Sequence, residues 1–109
     1  MSAEVRSKIH NYCLKNKIRF DKISYGETRK INNMSITFSN GWVALIAENH
    51  MYPAKGSKYA IAIRNYYTGR FNFDILNEYG ANDGCFYCNT DDEVINVCEI
   101  IRKLPNNEG

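Results

Sequence analysis

An α+β fold is predicted, a two-layer sandwich with two helices on one face of a twisted antiparallel sheet, from three features of the sequence. Apolar and polar residues alternate through 33–48 and again through 59–76, the period of strands with one buried face. Asn40-Gly41 and Tyr67-Thr68-Gly69 punctuate those two stretches where hairpin turns belong. Helical spacing of apolar residues is confined to the two ends of the chain. The order is therefore α-β4/5-α, a sheet of four to five strands between an N-terminal and a C-terminal helix, with 1–105 as one compact domain and 106–109 as a frayed tail.

Residues 3–16 form the first helix, with Val5, Ile9, Tyr12 and Cys13 on one stripe, Ser2 as N-cap, and Glu4, Lys15 and Lys17 matched to the helix dipole. Ile18, Phe20 and Ile23 fit a short strand over 18–24 or an extended crossing, and Gly26 breaks the pattern. In the central hairpin a two-residue type I′ loop at Asn40-Gly41 sets Ser39 opposite Trp42. Phe38/Val43, Ile36/Leu45 and Met34/Ala47 then form one wholly apolar face, and Ser35, Thr37, Trp42, Ala44 and Ile46 fall on the other with Ala60 and Ala62. Pro53 and Gly56 make 49–57 a loop. In the second hairpin a three-residue loop, 67–69, pairs Ile63 with Phe73 and Ile61 with Ile75. A loop at 77–83 leads to a short strand, 84–88. Thr90-Asp-Asp-Glu93 is a capping box that opens the second helix; Val94, Val97, Cys98, Ile101 and Leu104 form its buried stripe, and Pro105 stops it.

A chain of 109 residues with 44% hydrophobic and 24% charged residues is an ordinary globular domain with a real core but little room for an elaborate cleft. Residues 1–30 hold eight Lys/Arg against three acids, and residues 71–109 hold two against eight, so the charge is bipolar unless folding brings the ends together. No run approaches a membrane span, and the first twenty residues carry Arg6, Lys8, Lys15 and Lys17 without an apolar signal core. A cytoplasmic location is expected, with the four cysteines as thiols rather than disulfides.

His10, Cys13, Cys85 and Cys88 combine an HxxC with a CxxC, ligand types suited to Zn²⁺. Cys85 and Cys88 fall in a strand, however, where residues three apart point to opposite faces, and no metal or other cofactor is expected. A thioredoxin-like redox role is opposed by the acidic start of the following helix, Asp91-Asp92-Glu93. The His10–Cys13 pair lacks an orienting third group for covalent catalysis. Residues 54–58 (AKGSK) lack the first glycine of a phosphate loop. No enzymatic activity is expected.

The α-β-β-β-α order resembles that of the double-stranded-RNA-binding domain, but in topology alone. That family opens its second helix with a basic cluster, where this chain has Asp91-Asp92-Glu93. Tyr52, Lys55, Lys58, Arg64, Tyr66, Tyr67 and Arg70 nevertheless form a basic, aromatic set suited to single-stranded nucleic acid. The same residue types on rigid hairpin ends serve protein interfaces, and Trp42 on the outer sheet face would join them. Abundant Asn, Lys, Ile and Tyr suit an AT-rich genome, such as that of a phage or low-GC bacterium.

The expected function is a non-enzymatic protein-binding inhibitor or regulator, an anti-defence protein of phage or mobile-element type, anti-CRISPR-like, acting in the host cytoplasm on a host protein. A nucleic-acid-binding regulator is the alternative and a small zinc- or thiol-dependent protein the third reading. A homodimer through the outer sheet face is a further expectation.

Overall fold

The computed structural model describes residues 8–24, 32–48 and 58–107. Helix α1 (Lys8–Lys15) is followed by strands β1 (Arg19–Ser24), β2 (Asn32–Thr37), β3 (Trp42–Glu48), β4 (Tyr59–Asn65) and β5 (Phe71–Asn72). A 3-10 helix (Ile75–Tyr79), strand β6 (Phe86–Cys88) and helix α2 (Asp91–Arg102) complete the order. The sheet is antiparallel in the order β1-β2-β3-β4-β5, and β6 also pairs with β4. The two helices pack on one face, as the sequence predicts. Ser2, Glu4, Val5 and the loop at 49–57, with Tyr52 and Lys55, lie outside the described residues.

The central hairpin differs from the sequence expectation by one residue. Thr37 faces Val43, Ile36 faces Ala44 and Met34 faces Ile46. Phe38 and Trp42 bracket a three-residue loop, in which the Phe38 N–H donates to Trp42 O and the Gly41 N–H to Phe38 O. Only Gly41 in this loop has positive φ, +87°, so the turn is a type I turn closed by a left-handed glycine. A strand has a side-chain period of two, so one step of register inverts the whole of β3. Trp42, Ala44 and Ile46 enter the helix-covered core with Met34, Ile36 and Phe38. Val43, Leu45 and Ala47, paired with Thr37, Ser35 and Asn33, take the outer face.

Asn40 settles this choice. Its Nδ2 donates to the carbonyls of Ile101 (2.8 Å), Leu104 (3.1 Å) and Arg102 (3.2 Å), and its Oδ1 accepts from the Trp42 N–H (3.2 Å). The turn thus caps the C-terminus of α2, whose last carbonyls have no partner within the helix. The following segment is held as well, where the sequence reading expects fraying from Asn106. The Asn107 N–H donates to Asn40 O, and its Nδ2 donates to Gly41 O. A Cβ on Gly41 would lie 2.5 Å from Asn107 O, so the glycine also permits this close approach.

The second hairpin departs from expectation too. The Asn65 N–H donates to Arg70 O, which leaves a four-residue loop, and Ile63 faces Asn72 rather than Phe73. β5 ends after two residues because Asn72 Oδ1 accepts from the Asp74 and Ile75 N–H groups and turns the chain into the 3-10 helix. Ile75 therefore packs on the core without joining the sheet, and Leu76 is fully buried. The type I′ turn expected at residues 40–41 occurs instead at Asp83-Gly84, where both φ angles are positive and Asn82 and Cys85 exchange backbone hydrogen bonds. It leads into β6, which takes the place beside β4 that β5 vacates: Ile61 faces Phe86 and Tyr59 faces Cys88.

The capping box at Thr90/Glu93 forms with both reciprocal bonds, and Val94, Val97, Cys98 and Ile101 are buried. α1 and α2 lie side by side and run in the same direction. Lys8 meets Asp92, Tyr12 donates to Glu99, and Arg102 reaches Asn16. Folding therefore sets part of the basic front against part of the acidic rear.

Candidate binding face

The helix-free face of the sheet carries the features that set this molecule apart. On β3 and β4 it presents Val43, Leu45 and Ala47 beside Ala60, Ala62 and Arg64, in the cross-strand pairs Ala47/Ala60, Leu45/Ala62 and Val43/Arg64. β6 pairs with residues 59–61 of β4 and β5 with residues 63–64, so neither covers the strand at Ala62. The small side chains of Ala47, Ala60 and Ala62, with no strand partner beside Ala62 on the β5/β6 side, leave a groove of about 290 Å³, lined also by Asn33, Leu45, Ile46, Phe71 and Cys85. Val43 and Ser35 on the same face are buried.

Next to the groove stands a group of large aromatic side chains. Phe71 and Phe73 stack at 5.7 Å and are 49% and 52% exposed. At the hairpin end Tyr66 and Tyr67 meet edge to face at 5.3 Å and are exposed, as is Tyr79 on the 3-10 helix. Asn65 Oδ1 fixes the loop by accepting from the N–H groups of Tyr67 and Thr68. Tyr66 and Tyr67, singled out in the sequence, are exposed, and so are Phe71 and Phe73, although the expected pairing of Phe73 with Ile63 would have placed Phe73 on the buried face. The signal for the exposure of the two phenylalanines was Asn72, which can end a strand by accepting from the two N–H groups beyond it.

The other predicted contact residues do not converge. Trp42 is buried in the helix-side core, which corrects its assignment to the outer face. Lys58 and Arg64 stand six residues apart on an extended strand, about 20 Å at the usual rise. Lys58 turns its ammonium over the Tyr59 ring at 5.2 Å, and Arg70 is exposed beside the tyrosines.

The four residues considered for zinc are dispersed. His10 stacks on Phe20 at 4.5 Å. Cys13 and Cys88 are core residues on the helix side, whereas Cys85 lines the groove on the opposite face. Among the described residues no group of three or more His, Cys, Asp or Glu is placed to hold a metal ion. Burial pushes the Cys13 and Cys88 thiols up to about 11, with Glu93 adding to the effect on Cys88. Burial also raises Cys98, with Cys13 and Cys88 close enough to contribute. Cys85 is raised by burial and by Asp83. All four are held away from the thiolate form that nucleophilic or redox chemistry requires.

No protein-family model, curated protein or solved structure matches the chain. Among the described residues no helix is long and apolar enough to cross a membrane.

Proposed function

We propose that this chain is a non-enzymatic protein-binding inhibitor or regulator, of the kind that phage and mobile elements direct against host defence proteins such as CRISPR effectors. It would engage its partner through the β4–β5 hairpin end and the adjoining sheet face. The observation that carries the binding role is the aromatic group Tyr66, Tyr67, Phe71, Phe73 and Tyr79, each about half exposed. Side chains of this size are costly to leave in water, and aromatic anchors on fixed turns bind with little loss of conformational freedom. The anti-defence part rests on composition alone: a small domain rich in Asn, Lys, Ile and Tyr.

The test is site-specific photo-crosslinking from position 67 in a bacterial host, followed by identification of the adduct. The reading predicts one dominant protein adduct that a Tyr66→Ala/Phe71→Ala/Phe73→Ala variant carrying the same crosslinker at position 67, correctly folded by circular dichroism, no longer forms. Plaque counts of a targeted phage on a CRISPR-bearing host should rise when the wild-type chain is expressed, and should not rise with the variant. Crosslinks to nucleic acid, with affinity that falls steeply in added salt, would replace this reading by the nucleic-acid one.

A further inference from the structure

β1 is the terminal strand of the sheet, and among the described residues it pairs with β2 alone. The alternate N–H and C=O groups of Arg19–Ser24 that point away from β2 therefore have no strand partner among the described residues, which is the template a further strand needs. The pairing also places the side chains along that edge. Arg19 and Asp21 face Thr37 and Ser35, which puts them on the helix-free face. Arg19 Nε donates to Asp21 Oδ2 at 3.0 Å, and the two side chains are 67% and 48% exposed. Phe20 faces Ile36 on the helix side, half-buried and stacked on His10 at 4.5 Å. On α1, Lys8, Tyr12 and Asn16 reach toward α2, and Ile9 and Cys13 enter the core. His10 and Leu14, one turn apart, thus form the stripe above β1, and Leu14 is 51% exposed.

Charged side chains on an edge strand keep most other strands away. Their order here does the reverse for one partner, a second copy of this chain. Two copies of β1 that pair antiparallel about a two-fold axis normal to the sheet keep each face continuous, so the axis falls between like residues. With the axis at Phe20, Arg19 of each copy stands opposite Asp21 of the other, and Phe20 stands opposite Phe20. An axis at Arg19, Asp21 or Lys22 instead sets like charges against each other.

We propose that the β1 edge is a homodimer interface in this Phe20-centred register. Backbone hydrogen bonds and the apolar contact of Phe20 and Leu14 across the axis hold the two copies together. The alternating set of two Arg19 and two Asp21 side chains fixes the register. β5 lies at the other end of the sheet, so the joined sheet carries a β4–β5 hairpin end, with its exposed aromatic group, at each extremity.

Sedimentation of the full chain at neutral pH and about 100 µM should give twice the mass of 12.6 kDa. Arg19→Asp and Asp21→Arg should each raise the dimer Kd by roughly tenfold or more, because two attractive cross-strand pairs become two repulsive ones. An equal mixture of these two variants should restore the dimer as a heterodimer, since both facing pairs are then opposite in sign. Leu14→Glu should weaken the dimer through an independent change. Circular dichroism confirms that each variant is folded. A wild-type monomer at that concentration would overturn the proposal and leave Arg19 and Asp21 as protection of the edge. A dimer that survives both charge reversals, or folded variants whose mixture stays monomeric, would overturn it as well.

Discussion

Replacing Asn40 by alanine should be among the most damaging single changes available outside the apolar core. The Asn40 side chain is buried, and its amide serves the carbonyls of Ile101, Arg102 and Leu104 while its oxygen holds the Trp42 N–H. Nδ2 has two protons for three acceptors, so the side chain supplies two good donated bonds and one accepted bond. At about 1 kcal/mol per bond, with a further cost for buried groups left unpaired, the loss comes to about 3 kcal/mol. A domain of this size should then melt roughly 10–20 °C lower. Urea unfolding followed by circular dichroism measures the loss, at unchanged m-value. Asn40→Asp discriminates further. It keeps size and acceptor but directs a carboxylate at the negative end of α2, so at neutral pH it should be worse than alanine. Burial and the facing carbonyls raise the folded-state pKa of that new carboxyl above its unfolded value. Its damage should therefore shrink as pH falls from 7 toward 4, where the protonated acid donates again. A loss of under 1 kcal/mol for Asn40→Ala, or a pH-independent Asn40→Asp, would refute the capping role.

The buried thiols give stability an alkaline limit. Cys13 and Cys88 have folded pKa values raised to about 11, so their contribution is complete below the ordinary thiol value and disappears as pH rises toward 11. Urea midpoints should fall across that window, and Cys13→Ala should flatten the fall while lowering the midpoint at pH 7. Tyr12→Phe should cost about 1 kcal/mol, because it removes the hydroxyl that bonds Glu99 between the helices. That bond is the main cause that holds the Glu99 carboxyl below the usual carboxylate range, with Arg102 assisting. Glu99 therefore contributes stability above its unfolded pKa and loses it on acidification, and the acid limb of a stability-pH curve should be shallower in Tyr12→Phe. Gly84→Ala should destabilise by more than 1 kcal/mol, since φ is +82° and a Cβ would lie 2.5 Å from the Phe73 backbone. Thermal melts of this variant against wild type check it.

Elements whose pattern and local chemistry agree were legible. The second helix announces itself by Thr90, Glu93 and a regular stripe, and each of those features forms as expected. Strands over 32–37, 42–48 and 59–65 follow from alternation, apolar runs and turn residues together, and the less regular set Ile18, Phe20 and Ile23 precedes a strand that forms over 19–24. What failed depended on tertiary partners. Asn-Gly favours a tight type I′ turn in isolation, but at residues 40–41 the asparagine side chain is drawn to α2, sixty residues away, and the loop takes an extra residue. β5 reads as a full strand because Phe71, Phe73 and Ile75 alternate, whereas Asn72 bonds forward and ends it. The groove was not legible in sequence. It arises from a gap between β5 and β6 that only the observed pairing creates.

The register of the central hairpin decides which residues the outer face can offer, and Trp42 reports on it directly. In the two-residue register Trp42 stands on the helix-free face, open to solvent or to a partner. In the observed register it is 7% exposed among Phe38, Ala44 and the helix-side core. The chain has a single tryptophan, so its fluorescence is unambiguous. Acrylamide and iodide should quench the native protein weakly and the urea-unfolded protein strongly. Strong native quenching by iodide would restore the shorter loop and return Val43, Leu45 and Ala47 to the core. The groove would then lose its floor at Ala47 and its wall at Leu45.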